Sequence, residues 1–136
     1  MSEAEDLVRR MLEAHNRGGG YELLEVFDDF FAADLEWRPI IVGTAGSERV
    51  TYRGRDGLEH YYRDRAEVFG AGEVHIRSVE SRGDAVVAHA RSTAEGRVSG
   101  ASVEEDVYLV YWCRDGRLVR GEAFRSYQDA LQAASA

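Results

Sequence analysis

Apolar residues recur at spacings of three and four through the first half of the chain and at alternate positions through the second, so helices are expected first and strands after them. Leu7, Val8, Met11, Leu12 and His15 share one face of a first helix. Ser2 and Glu5 open it as a capping box, and Asn16-Arg17-Gly18-Gly19-Gly20 stops it. Tyr21, Leu24, Phe27 and Phe31, flanked by Leu23 and Phe30, give a second, shorter helix a broad apolar face. Residues 35–38 then read as a strand ended by Pro39, residues 41–47 as a loop, and residues 50–52 as a short edge strand. Gly54-Arg55-Asp56-Gly57 introduces a third helix on which Leu58, Tyr61, Tyr62, Arg65 and Phe69 lie on one side.

From Gly72 on the period is two. Residues 74–79 and 85–93 form a hairpin about Arg82-Gly83, and residues 98–125 form a longer one about Arg114-Asp115-Gly116-Arg117. An Asp-Gly pair supplies the positive φ angles of a two-residue turn, which fixes a register: Trp112 opposite Val119, Val110 opposite Gly121, Tyr108 opposite Ala123 and Asp106 opposite Arg125. This first face, with aromatics and gaps, is expected to line a cavity. The second, with Val107, Leu109, Tyr111, Cys113 and Phe124, is a more continuous apolar surface and is expected to face outward against a second copy of the chain. Ser126 and Asp129 cap a short final helix. Helices followed by antiparallel strands define an α+β fold in which a curved sheet wraps around helices and leaves a cone-shaped cavity.

Composition narrows the partners. A length of 136 residues suits one domain, residues 1–136, with one substantial core. A net charge of -8 without a basic run argues against nucleic acid or an anionic membrane. All 17 basic residues are arginine, which removes Schiff-base and lysine-nucleophile chemistry. The lone Cys113 makes no internal disulfide, the polar start lacks the features of a signal peptide, and no apolar run approaches the roughly 20 residues that span a bilayer, so a cytoplasmic protein is expected. His75 and His89 have no third ligand in sight, and no glycine-rich phosphate loop follows a strand, so neither metal nor cofactor is expected.

Several motifs in order along the chain carry a resemblance: Phe31-Ala32-Ala33-Asp34-Leu35-Glu36-Trp37-Arg38-Pro39, Tyr52-Arg53-Gly54-Arg55-Asp56-Gly57, Gly83-Asp84-Ala85-Val86-Val87, Ser99-Gly100, Arg114-Asp115-Gly116-Arg117-Leu118-Val119-Arg120 and Asp129-Ala130-Leu131. Together they resemble the nuclear transport factor 2-like (NTF2-like) superfamily in its SnoaL-like branch. The resemblance implies a cystatin-like cone, with a curved antiparallel sheet around three helices of the N-terminal half, a short C-terminal helix, and dimerisation through the outer sheet face. It implies no one activity, because isomerases, epoxide hydrolases, polyketide cyclases, dehydratases and binding proteins share that fold.

Position by position, the isomerase pattern places its carboxylate base near Arg38, its first-helix tyrosine near Met11 and its carboxylic acid near Tyr108, and none is the required residue. The last-strand aspartate of the epoxide hydrolases falls on Ala123. Tyr62 matches a pocket-lining tyrosine of the isomerases. The alignment turns Arg38 inward whereas hydrophobicity turns Trp37 inward, and both stay open. The pocket is therefore expected to be lined by Tyr62, Tyr108, Asp106, Arg125 and Trp37 or Arg38, and to take a small apolar or carbonyl-bearing molecule. Two functions follow: a binding protein in which Asp106 and Arg125 neutralise each other, or a cofactor-independent lyase, isomerase or cyclase with Asp106 as general base and Tyr108 as proton donor.

Overall fold

The computed structural model describes residues 2–18, 20–40, 50–70, 72–96 and 100–135. The expected loop at 41–47 and the start of the long hairpin at 98 lie outside the described residues. Helix α1 runs Glu3–Gly18, and the Ser2 hydroxyl accepts the Glu5 backbone N–H at 3.1 Å, as the capping motif requires. The expected second helix is two short pieces, α2 (Tyr21–Glu25) and α3 (Phe27–Phe30), broken at Val26. Strand β1 (Phe31–Arg38) is longer than its apolar run and β2 is only Tyr52–Arg53. Helix α4 (Gly54–Val68) precedes β3 (Glu73–Arg82), β4 (Ala85–Glu95), β5 (Ser102–Arg114) and β6 (Arg117–Phe124). Helix α5 (Tyr127–Ser135) closes the chain, its Asp129 N–H capped by the Ser126 hydroxyl at 3.0 Å.

The six strands form one sheet in the order β2-β1-β6-β5-β4-β3, antiparallel except where β1 joins β6 in parallel. Irregularities in the β3–β4, β5–β6 and β1–β6 ladders bend it, since each extra residue kinks its strand and raises the local twist. Leu7, Val8, Met11 and Leu12 of α1, Leu23 and Phe27 of α2 and α3, and Leu58 and Tyr62 of α4 pack with Leu35, Leu109, Tyr111 and Leu118 of the sheet into the main core. On the other side of the sheet, Ala130 of α5 packs with Ala85, Val87, Val110 and Phe124 in a second, smaller cluster. Among the described residues no helix is long and apolar enough to cross a membrane.

The long hairpin corrects the expected register. Asp115 and Gly116 adopt φ of 52° and 77°, so the turn is the one the sequence predicts, and Arg114 still faces Arg117 and Cys113 still faces Leu118. Val119 is then an extra residue on β6, and every pair beyond it moves by one: Trp112 faces Arg120, Tyr111 faces Gly121, Leu109 faces Ala123 and Tyr108 faces Phe124. A one-residue slip exchanges the faces of a strand relative to its partner. Consequently Gly121 and Ala123 share a face with Tyr111 and Leu109 rather than with Val110 and Tyr108.

Candidate functional site

The concave side of the sheet and the helices over it enclose a cavity of about 120 Å³. Its floor is β5 and β6, which contribute Val107, Leu109, Tyr111 and Ala123. Helix α1 supplies Met11, Leu12 and His15, helix α4 supplies Leu58, Tyr61, Tyr62 and Arg65, and Leu35 and Trp37 enter from β1. Residues 107, 109 and 111 form this wall because period-two alternation gives one face of β5 to the core. They are therefore not the outward dimer surface that the sequence suggested, and Phe124, grouped with them there, lies in the cluster on the opposite face.

Aromatic rings dominate the wall. Trp37 and Tyr111 lie nearly parallel, 5° apart with centroids at 6.2 Å, and the edge of Tyr61 meets Trp37 at 5.8 Å. The space between the two parallel rings exists because residue 121 has no side chain: a Cβ there would come within 2.7 Å of Tyr111 and 2.9 Å of Trp37. Tyr62 sits beside Tyr61 at 5.3 Å and shares a hydrogen bond of 3.1 Å between its hydroxyl and Nδ1 of His15. His15, on the apolar face of the first helix, is buried where it makes that contact.

Burial sets the charge state of this wall. It pushes the hydroxyls of Tyr62, Tyr111 and Tyr61 up, with the Arg65 cation opposing the rise at Tyr61 and Tyr62, so all three are proton donors at neutral pH. Burial, assisted by Arg65, pushes His15 down to about 4, so its imidazole is neutral. If the Tyr62 hydroxyl donates to Nδ1, then Nε2 carries the proton; if Nδ1 donates, Nε2 is an acceptor. Nε2 of His15 and Nε1 of Trp37 are both buried without a hydrogen-bond partner of normal geometry. Glu105 also borders the cavity, and Nε of Arg125 holds its carboxylate at 2.9 Å.

Of the residues singled out from sequence, Tyr62 and Trp37 line the cavity together. Arg38, one position on, turns to the other face, where its guanidinium reaches Thr51 at 3.1 Å and Glu122 at 3.3 Å. Asp106 and Tyr108 also lie on that far face. Tyr108 stacks on His89 with centroids at 4.7 Å, and Asp106 is held by His89 at 3.4 Å and Arg91 at 3.3 Å. Partial burial would raise the Asp106 carboxyl, but the hydrogen bonds from His89 and Arg91 outweigh it and leave the pKa lowered. The expected Asp106–Arg125 pair does not form, because the register shift gives Arg125 to Glu105. Cys113 packs at the edge of the main core, where burial pushes its thiol up and away from reactivity.

Sequence reasoning missed His15, Arg65 and Tyr111 as wall residues. Arg65 had a visible signal, an arginine on the apolar side of a helix. His15 had the same signal, a polar side chain in register with Leu7, Val8, Met11 and Leu12, although its partner Tyr62 is 47 residues away.

A SnoaL-like domain model matches residues 8–121. No curated protein matches the chain. Among solved structures, an NTF2-like protein of unknown function from Burkholderia pseudomallei K96243 is 20% identical, covers 100% of both chains and superposes with a TM-score of 0.76. TerC, co-crystallised with polyporic acid, is 18% identical over 99% of this chain and 100% of its own, with a TM-score of 0.75. IdmH from Streptomyces antibioticus, a candidate polyketide cyclase, is 20% identical over 98% and 99%, with a TM-score of 0.68.

Proposed function

The chain belongs to the SnoaL-like domain family, and from that premise we propose that it binds a small, mainly apolar or carbonyl-bearing molecule in the cavity and performs no carboxylate-based chemistry on it. The observation that carries this reading is an aromatic wall whose one carboxylate among the described lining residues, Glu105, is already held by Arg125. General-base catalysis of the isomerase or cyclase kind needs an ionised acid free to reach the substrate, and Asp106 lies on the wrong face of the sheet. Size supports a modest occupant. An apolar cavity of about 150 Å³ holds one benzene, and this one is about 120 Å³, so one ring or a short branched chain fits it. TerC, co-crystallised with polyporic acid, supports occupancy of such a cone by an organic molecule.

One observation favours the second reading, a general acid–base enzyme. The hydrogen-bonded His15–Tyr62 pair sits in the wall, so a reaction there would use these two residues rather than Asp106 and Tyr108. A pKa of about 4 makes His15 a weak base at neutral pH, which places binding first.

Saturation-transfer NMR with toluene and cyclohexanone tests the binding reading. Both probes are expected to bind the wild type and to lose binding in Ala123→Leu, whose larger side chain occupies the cavity floor. Equal signals from a folded Ala123→Leu variant would mean that the probes bind elsewhere and that the reading is wrong.

A further inference from the structure

We propose that the cavity takes its occupant as an anion: a small organic carboxylate whose charged end meets Arg65 and whose apolar body lies against Trp37, Tyr111 and Leu109. This rests on the small-molecule reading above and adds a charge to it. Arg65 enters the wall from α4, is half-buried, and has neither a hydrogen bond nor an ion pair from its guanidinium among the described residues. Its neighbours on the same helix behave otherwise, since Arg55 and Arg63 both reach Glu59, at 3.5 and 2.9 Å. Elsewhere Arg114 holds Asp34 at 3.0 Å and Arg120 holds Glu122 at 3.1 Å. Among the described residues Arg9 is likewise half-buried without an ion pair, but Arg65 is the one of the two that lines the cavity.

The surroundings keep that guanidinium where it is. A Cβ at Gly72 would come within 2.6 Å of Arg65 Nη2, so the glycine leaves the space the fork fills. The positive charge acts inward, opposing proton binding at His15 and favouring ionisation of Tyr61 and Tyr62. Glu105 does not cancel it, being engaged by Arg125. A partly desolvated cation without a counterion is unfavourable, and a planar guanidinium matches a carboxylate with two parallel hydrogen bonds. An incoming carboxylate satisfies both requirements, while the aromatic wall takes the rest of the molecule.

Isothermal titration calorimetry at neutral pH with benzoate, its neutral counterpart benzamide, and toluene tests this. Benzoate is expected to bind the wild type about ten- to a hundredfold more tightly than benzamide, the range of a charge-assisted hydrogen bond. Arg65→Gln should bring benzoate down to the level of benzamide and leave benzamide unchanged, and Arg63→Gln, exposed on the same helix, should alter neither. Toluene binding together with benzamide at least as tight as benzoate in the wild type, or with benzoate unaffected in Arg65→Gln, overturns the anion and leaves the small-molecule pocket standing. No binding by any of the three overturns both. The wild-type comparison decides the matter should Arg65→Gln fail to fold.

Discussion

Replacing Gly121 by alanine is a severe change for so small a group. The new Cβ would stand 2.7 Å from Cε1 and 2.9 Å from Cδ1 of Tyr111, and 2.9 Å from Cε3 of Trp37. Carbon atoms pack at about 3.5–4.0 Å, so the closest approach is about 0.8 Å too short. Both rings are held, Tyr111 buried and Trp37 locked between Tyr111 and Tyr61. Overpacking of this kind costs about 1–3 kcal/mol. Alanine recovers about 0.5–1 kcal/mol because it loses less backbone freedom than glycine in a strand. A net loss of about 1–2 kcal/mol is expected, lowering Tm by about 3–10 °C. Urea unfolding followed by far-UV circular dichroism should show a lower midpoint at an unchanged slope. Combining the change with Tyr111→Leu, which removes the nearest ring, should make the two effects strongly non-additive. A Gly121→Ala midpoint at or above that of the wild type would refute the claim that the bare backbone at 121 shapes the cavity wall.

Two further outcomes follow from the same geometry. His15 titrates near 4 in the folded chain against an ordinary 6.5, so below about pH 6.5 the unfolded chain takes up a proton that the folded chain refuses. The stability it contributes is complete above that pH and is lost on acidification, by about 2 kcal/mol between pH 8 and pH 5; urea midpoints across that range should fall for the wild type and flatten in His15→Gln. Asp106→Asn and Tyr108→Phe, on the far face of the sheet, should leave toluene and benzoate affinities within about twofold of the wild type, whereas a loss of binding in either would place them at the cavity.

Much of the architecture was legible because it is written locally. Ser2 and Ser126 announce two helix starts, and Asp115-Gly116 announces a turn, each through interactions within a few residues. The family resemblance then supplied the cone. The site was less legible for one local reason with a large effect. Val119 is an unpaired residue in a strand whose alternation gives no sign of it, and that single insertion decides whether Gly121 and Ala123 accompany Tyr111 and Leu109 or Tyr108 and Val110. The apolar run Val107, Leu109, Tyr111 reads equally well as cavity wall or as an exposed patch, and only α5 covering the opposite face distinguishes them. Trp37 and Arg38 could not be separated for the same reason, since both faces of β1 are partly covered. His15 and Arg65 stand on the apolar sides of their helices, which turns both inward, but what each meets there lies on elements far apart in sequence, which no local pattern encodes.

The chain has two tryptophans, and the sheet separates them: Trp37 lines the cavity, and Trp112 lies on the far face beneath the Arg120 guanidinium, 4.5 Å above its ring. Their indole N–H signals in a proton–nitrogen correlation spectrum, assigned with Trp112→Phe, therefore report the two faces independently. Titration with toluene should move the Trp37 signal in a saturable way and leave that of Trp112 in place. A saturable shift of Trp112 alone, or no shift of either up to the solubility of the probe, would contradict the account of this cavity as a binding site.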